Sequence, residues 1–116
     1  MIERVDFVSI PTRDFERARR FYGDVLELPE SVDGEFEAGN VTLGLWAPEQ
    51  EGVRFAPSTA GIALRVADVA AARARLERHG VEFLGATVDT GVCHMGFFYD
   101  PDGNVLILHR RYAPRS

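Results

Sequence analysis

The chain has 116 residues, enough for one domain with its own core. A hydrophobic share of 46% is that of a globular protein, and a net charge of −5 argues against a nucleic-acid partner. One cysteine, Cys93, excludes an internal disulfide, and no stretch approaches the roughly 20 apolar residues of a membrane span.

Val5–Ile10 is strand-like, and Pro11 ends it. Asp14 is placed to cap a helix through its carboxylate. Phe15, Ala18, Phe21, Tyr22, Val25 and Leu26 then share one face, which assigns Phe15, Phe21 and Tyr22 to the core. Leu28-Pro29 closes this helix. Ser31–Ala38 alternates apolar and polar residues, with turn signals at Asp33-Gly34 and Gly39-Asn40. Val41–Trp46 is the next strand, and Ala47–Thr59, with Pro48, Gly52 and Pro57, reads as a linker.

Gly61–Val66 opens a second set of elements. Asp68 caps a helix that buries Val69, Ala72 and Leu76 and stops at Gly80, with His79 as a residue of its C-terminal cap. Glu82–Val88 is expected to be a strand. Val92–Tyr99 and Asn104–Arg110 form a hairpin around Asp100-Pro101-Asp102-Gly103. Ala113–Ser116 reads as a frayed tail.

The same module is therefore written twice: an apolar strand, an aspartate opening a helix, then strands ending in Gly-Asn-Val. Module one covers about residues 2–47, the linker about 48–59 and module two about 60–111 of a single domain spanning 1–116. One such unit cannot bury both faces of its sheet, and the seam between copies is a natural place for a ligand.

Asp14 with Phe21-Tyr22 and Leu26, Val66-Ala67-Asp68 with Gly80-Val81, and Phe98-Tyr99-Asp100-Pro101-Asp102-Gly103-Asn104 together carry a resemblance. The chain resembles the vicinal oxygen chelate superfamily, the glyoxalase, bleomycin-resistance and extradiol dioxygenase group, over about Ile2 to Arg111. The resemblance implies an α+β fold: two βαβββ modules forming an eight-stranded cupped mixed sheet, with the helices outside and the site inside. It also implies a homodimer.

Enzymes of that family hold a divalent metal with two side chains from each module. Seven residues before each helix-opening aspartate, at the usual histidine positions, stand Phe7 and Gly61. The usual carboxylate positions hold Ile107 in module two and Leu43 or Gly44 in module one. None of these offers a lone pair to a cation. A one-residue slip would bring Asp6 to the first position and rescue that one alone. The expectation is no metal and no other cofactor.

If Asp100 faces Gly103 across the turn, then Phe98 faces Val105, Gly96 faces Ile107 and His94 faces His109, while Cys93 pairs with Arg110 on the other face. By the resemblance, the face of Ile107 is the cavity face. His94 and His109 would then stand side by side near Phe98 and, from module one, Phe7. Three readings stay open for the pair: a relocated metal site with Asp6 or Cys93, a general acid and base, or ligand contacts and sheet filling. Cys93 itself is expected to be buried or interfacial and not a nucleophile.

Phe7, Trp46 and Phe98 are either an apolar cup for a planar molecule or ordinary core. Asp24, Glu27, Glu30, Asp33, Glu35, Glu37, Glu49 and Glu51 follow one another with no arginine between. They either attract a cationic ligand or form a solvated outer face, the simpler reading. All 13 basic residues are arginine, which fits carboxylate or phosphate recognition or, more simply, codon usage in a GC-rich genome.

The leading expectation is a cytoplasmic, metal-independent small-molecule binding protein of the glyoxalase/bleomycin-resistance type. Phe7, Trp46, His94, Phe98, Ile107 and His109 would contact an apolar or aromatic ligand, neutral or cationic. No nucleic acid or membrane is expected as a partner. The alternative is a metal-free isomerase or lyase using His94 or His109 as acid and base; a metal-dependent glyoxalase or dioxygenase comes third.

Overall fold

The computed structural model describes residues 1–114. Residues 115 and 116 of the expected tail lie outside the described residues. The chain divides into two compact units, Met1–Ser58 and Thr59–Ser116. Each is a strand, a helix and three further strands, so the fold is α+β and built from two βαβββ modules.

The first unit holds β1 (Phe7–Pro11), α1 (Phe15–Arg20), β2 (Glu30–Val32), β3 (Glu35–Glu37) and β4 (Thr42–Trp46). Its sheet runs β1-β4-β3-β2, with β1 parallel to β4 and the other pairs antiparallel. The helix begins where expected: the Arg17 backbone N–H donates to Asp14 Oδ1 at 3.1 Å. The Asp14 N–H in turn donates to Thr12 Oγ1 at 3.0 Å, fixing the angle at which the chain enters α1.

The expected single helix through Leu26 is not regular. After Arg20 it widens into a π-helical turn, Phe21–Val25, in which the Leu26 N–H reaches back to the Phe21 carbonyl at 2.9 Å. The wider turn lets two neighbouring aromatics, Phe21 and Tyr22, both be buried. The Tyr22 ring lies 6.0 Å from that of Phe36 on β3. Ile10, Ala18, Phe36 and Leu43 complete this core. Burying each large side chain stabilises the unit by roughly 1.5–3 kcal/mol before entropy is counted. Phe15 is only half-buried, at the edge of this core.

The expected linker is not featureless. Pro48–Glu51 forms a 3₁₀ turn on a buried Pro48, and the Arg13 guanidinium sits 4.4 Å above the Phe55 ring.

The second unit repeats the plan with β5 (Ile62–Arg65), α2 (Val69–Arg78), β6 (Val88–Asp89), β7 (Cys93–Tyr99) and β8 (Val105–Arg111). Its sheet runs β5-β8-β7-β6, with β5 parallel to β8. The Ala71 N–H donates to Asp68 Oδ1 at 3.0 Å, His79 is the C-cap, and Val69 and Leu76 are buried.

Two expectations are corrected here. Glu82–Val88 is not a strand: Phe83 makes one isolated bridge to Phe98, and the ladder resumes only at β6. Gly85, at φ 76°, turns the backbone out of extended conformation between them.

The second correction is the hairpin register. His94 pairs with Arg110, Gly96 with Leu108, Phe98 with Leu106 and Cys93 with Arg111. The cause lies in the turn. The Gly103 N–H bonds the Asp100 carbonyl at 3.0 Å, and the Asp100 N–H bonds the Asn104 carbonyl at 2.9 Å. Gly103, at φ 87°, adds a left-handed residue that the two-residue count left out. The Asp100 carboxylate locks this arrangement, accepting from the backbone N–H groups of Asp102 and Asn104 and from Asn104 Nδ2, at 2.9, 2.9 and 2.7 Å. Because side chains alternate, a shift of one residue sends half of the expected set to the other face.

Among the described residues, no helix is long and apolar enough to cross a membrane.

Candidate functional site

Alternation along the strands divides each sheet into a helix face and an open face. In the first unit, Phe36 and Leu43 lie on the helix face, where Phe36 meets Tyr22. Phe7, Ser9, Thr42, Gly44, Trp46, Glu35 and Glu37 therefore share the open face.

Ser9, Gly44 and Glu35 form one row across β1, β4 and β3. Phe7, Thr42 and Glu37 form the next row, and Trp46, beside Pro11, stands two residues beyond Gly44 on the other side. The row through Gly44 lacks a side chain at its centre, and a groove of about 450 Å³ opens there. Phe7 and Trp46 flank it, Gly44 is its floor, and Ser9, Asp33 and Glu35 supply its polar groups. Phe7 is 60% exposed, although it is a large apolar residue. The Trp46 indole N–H donates to Glu51 Oε2 at 3.4 Å.

The acidic run is less uniform than its sequence suggests. Arg19 reaches in from α1 and grips Glu30 with two prongs, Nε to Oε2 at 2.9 Å and Nη2 to Oε1 at 3.0 Å. It also lies 3.4 Å from Asp33. Glu30 is held below its ordinary value by this guanidinium and by the Gly34 N–H. Glu37 is lowered by the Ser31 and Thr42 hydroxyls, which donate to it at 2.6 and 2.8 Å. Arg13 lies 3.7 Å from Glu49. Among the described residues, the Glu35 carboxylate has no hydrogen bond or ion pair. It is thus the acidic group lining the groove that no arginine reaches.

In the second unit, a Cβ placed on Gly96 would touch Phe83 and, on α2, Val69. Gly96, His94 and Phe98 therefore lie on the helix face, and Phe98 is fully buried. Two expected site residues are corrected by this: His94 and Phe98 do not share a face with Ile107 and His109. The His94 side chain, 44% exposed, sits 3.5 Å from Asp89 and stacks 4.7 Å from Tyr112. Asp89 is held low first by the Gly91 N–H and then by the Tyr112 hydroxyl, which donates to it at 2.8 Å. Ile107 and His109 do occupy the open face, with Phe97 and Met95 as the true cross-strand neighbours. Cys93 lies opposite Arg111, not Arg110, and is half-buried.

The divalent metal implied by the resemblance does not fit the residues present. Leu43 is buried on the helix face, so Gly44 is the position that faces the groove in the first unit, beside Phe7. Gly61 and Ile107 hold the corresponding positions of the second unit. Hydrogen and hydrocarbon at all four leave an ion no donor. Asp6, the one-slip substitute, lies 3.5 Å from Arg4. Among the described residues, no group of three or more His, Cys, Asp or Glu could hold a metal ion.

Sequence reasoning placed Phe7 and Trp46 as cup residues, and the groove brings them together. It missed Ser9, Gly44 and Glu35 as one row. The signal was available only in the β3–β4 register, which short strands with weak turn signals do not specify.

A family model described as Glyoxalase/Bleomycin resistance protein/Dioxygenase superfamily matches residues 4–108. A glyoxalase family protein from Bacillus anthracis is 21% identical, with 96% of this chain and 97% of that one covered and a TM-score of 0.80. A member of the same superfamily from Sphaerobacter thermophilus is 24% identical, with 93% and 97% covered and a TM-score of 0.77. TnmS3, an antibiotic binding protein from a Streptomyces strain, is 28% identical, with 95% and 97% covered and a TM-score of 0.74. A comparison with curated proteins found no significant match. The chain belongs to the Glyoxalase/Bleomycin resistance protein/Dioxygenase superfamily.

Proposed function

We propose that the chain binds and sequesters a flat apolar or aromatic cation in the groove of its first unit, without a metal. One observation carries this reading: Gly44 leaves an open floor between Phe7 and Trp46, with the unpartnered Glu35 carboxylate beside it. A planar molecule laid on Gly44 would contact both rings, and such contacts contribute about 0.5–1.5 kcal/mol each beyond area burial. A positive charge gains further from Glu35 and from the indole face. The antibiotic binding relative, TnmS3, supports a capturing role for this scaffold.

The acid–base alternative used His94 or His109; the two stand on opposite faces of the second sheet and do not work as a pair. A homodimer belongs to the reading; light scattering on the eluting protein tests it.

Trp46 is the sole tryptophan, so its emission reports on the groove directly. Titration with 9-aminoacridine, a planar cation, in excess chelator is expected to quench it saturably. Phe7→Ala should weaken that binding about tenfold, close to 1.4 kcal/mol. Absence of saturable quenching, or quenching that needs an added divalent ion, contradicts the proposal.

A further inference from the structure

The open face of the second sheet carries a different chemistry. Arg65, His109 and Met95 form one row across β5, β8 and β7. Arg111 stands two residues beyond His109 on β8, and so on the same face. Neighbouring strands lie about 4.8 Å apart and alternate residues about 6.6 Å apart, so three long basic side chains start within reach of one small ion.

No carboxylate answers them from the strands. Asp89, the acidic residue of β6, pairs in register with His94 and so belongs to the helix face. There it accepts from Tyr112. The other open-face strand positions near the row are Ala63, Ile107, Phe97 and Cys93. Among the described residues, Arg65 has no carboxylate partner and the His109 ring has no hydrogen bond. Arg111 donates from Nη2 to the Pro114 carbonyl at 3.3 Å, while its Nε–H is buried with no acceptor among the described residues.

A buried guanidinium N–H left unmet is costly, and such a group in a folded protein asks for an absent acceptor. The surroundings make the request specific. Acidic residues outnumber arginines 18 to 13 in this chain, yet here two arginines and a histidine share a face to which the strands bring no acid. We propose that Arg65, His109 and Arg111 form an anion-binding site for the carboxylate or phosphate group of a small molecule. The guanidinium forks match two oxygens of either group, and the imidazole N–H serves a third contact. The proposal rests on the residues of the second sheet alone and does not draw on the groove of the first unit.

The test is an NMR titration of the isotope-labelled full chain with inorganic phosphate and, separately, with acetate, at ionic strength held constant by sodium chloride. Saturable shifts are expected at the side-chain N–H of Arg65 and Arg111 and at the His109 ring, and not at the exposed Arg54 and Arg78. Tighter binding of phosphate assigns the site to phosphate monoesters; tighter binding of acetate assigns it to carboxylates. Arg65→Gln and His109→Gln should each weaken the preferred anion at least tenfold while leaving the backbone spectrum intact. They keep the test open should Arg111→Gln fail to fold. The proposal is overturned if no resonance of the three saturates, if shifts follow ionic strength alone, or if both single variants bind as the parent does.

Discussion

A methyl group built on Gly44 would lie 3.9 Å from Phe7 Cδ2, with no other atom beyond its chain neighbours within 4 Å. The fold therefore has room for a side chain at this position, although glycine in a strand destabilises by about 0.5–1 kcal/mol relative to alanine. Gly44→Ala is expected to melt at the same temperature or higher. Gly44→Leu should keep the fold, fill the floor between Phe7 and Trp46, and weaken 9-aminoacridine at least tenfold. Thermal melts beside fluorescence titrations check both outcomes.

Two phenylalanines expected to share a cup should now behave in opposite ways. Phe98 is 0% exposed and Phe7 is 60% exposed. Phe98→Ala is expected to cost about 3–5 kcal/mol through lost burial and a cavity. Phe7→Ala should stay within about 0.5 kcal/mol, as surface changes do. Urea unfolding monitored by circular dichroism distinguishes them.

The β7–β8 turn depends on one carboxylate. Asp100 and Asn104 are 4% and 1% exposed, and Asp100 accepts three N–H groups. Asp100→Ala strands buried donors, each costing about 1–3 kcal/mol. A loss of roughly 3 kcal/mol in chemical denaturation is expected. Shifts in hydrogen-exchange protection should concentrate along β7 and β8.

Acid should weaken the first unit through Glu30. Its carboxyl is lowered from 4.5 by Arg19 and by the Gly34 N–H. A group with a depressed folded value stabilises above the unfolded value, and that contribution is lost as pH falls through the folded one. The stability gap between parent and Glu30→Gln is therefore expected to be largest above about pH 4.5 and to shrink in stronger acid. Melting temperatures across pH 2 to 7 check the direction. A gap that widens in acid would contradict the assignment.

Much of the architecture was legible because its signals are local. Asp14 and Asp68 each announce a helix through a short polar side chain before an apolar stripe, and both cap as expected. Asp33-Gly34 and Asp100-Pro101-Asp102-Gly103 mark their turns. What failed was counting across a turn, since Asn104 joins the Asp100 network through contacts that residue types alone do not reveal. That single residue moved His94 and Phe98 to the helix face. The acidic run misled for a similar reason: Arg19 and Arg13 reach it from outside, and only the register beside Gly44 leaves Glu35 in the groove.

The central claim is a metal-free groove whose floor is open at Gly44. The most direct measurement is Trp46 quenching by 9-aminoacridine in excess chelator, compared between the parent chain and Gly44→Leu. The account predicts saturable one-to-one binding to the parent and a loss of at least tenfold in the variant. Equal binding by both, or binding to the parent that appears only when a divalent ion is restored, would contradict it.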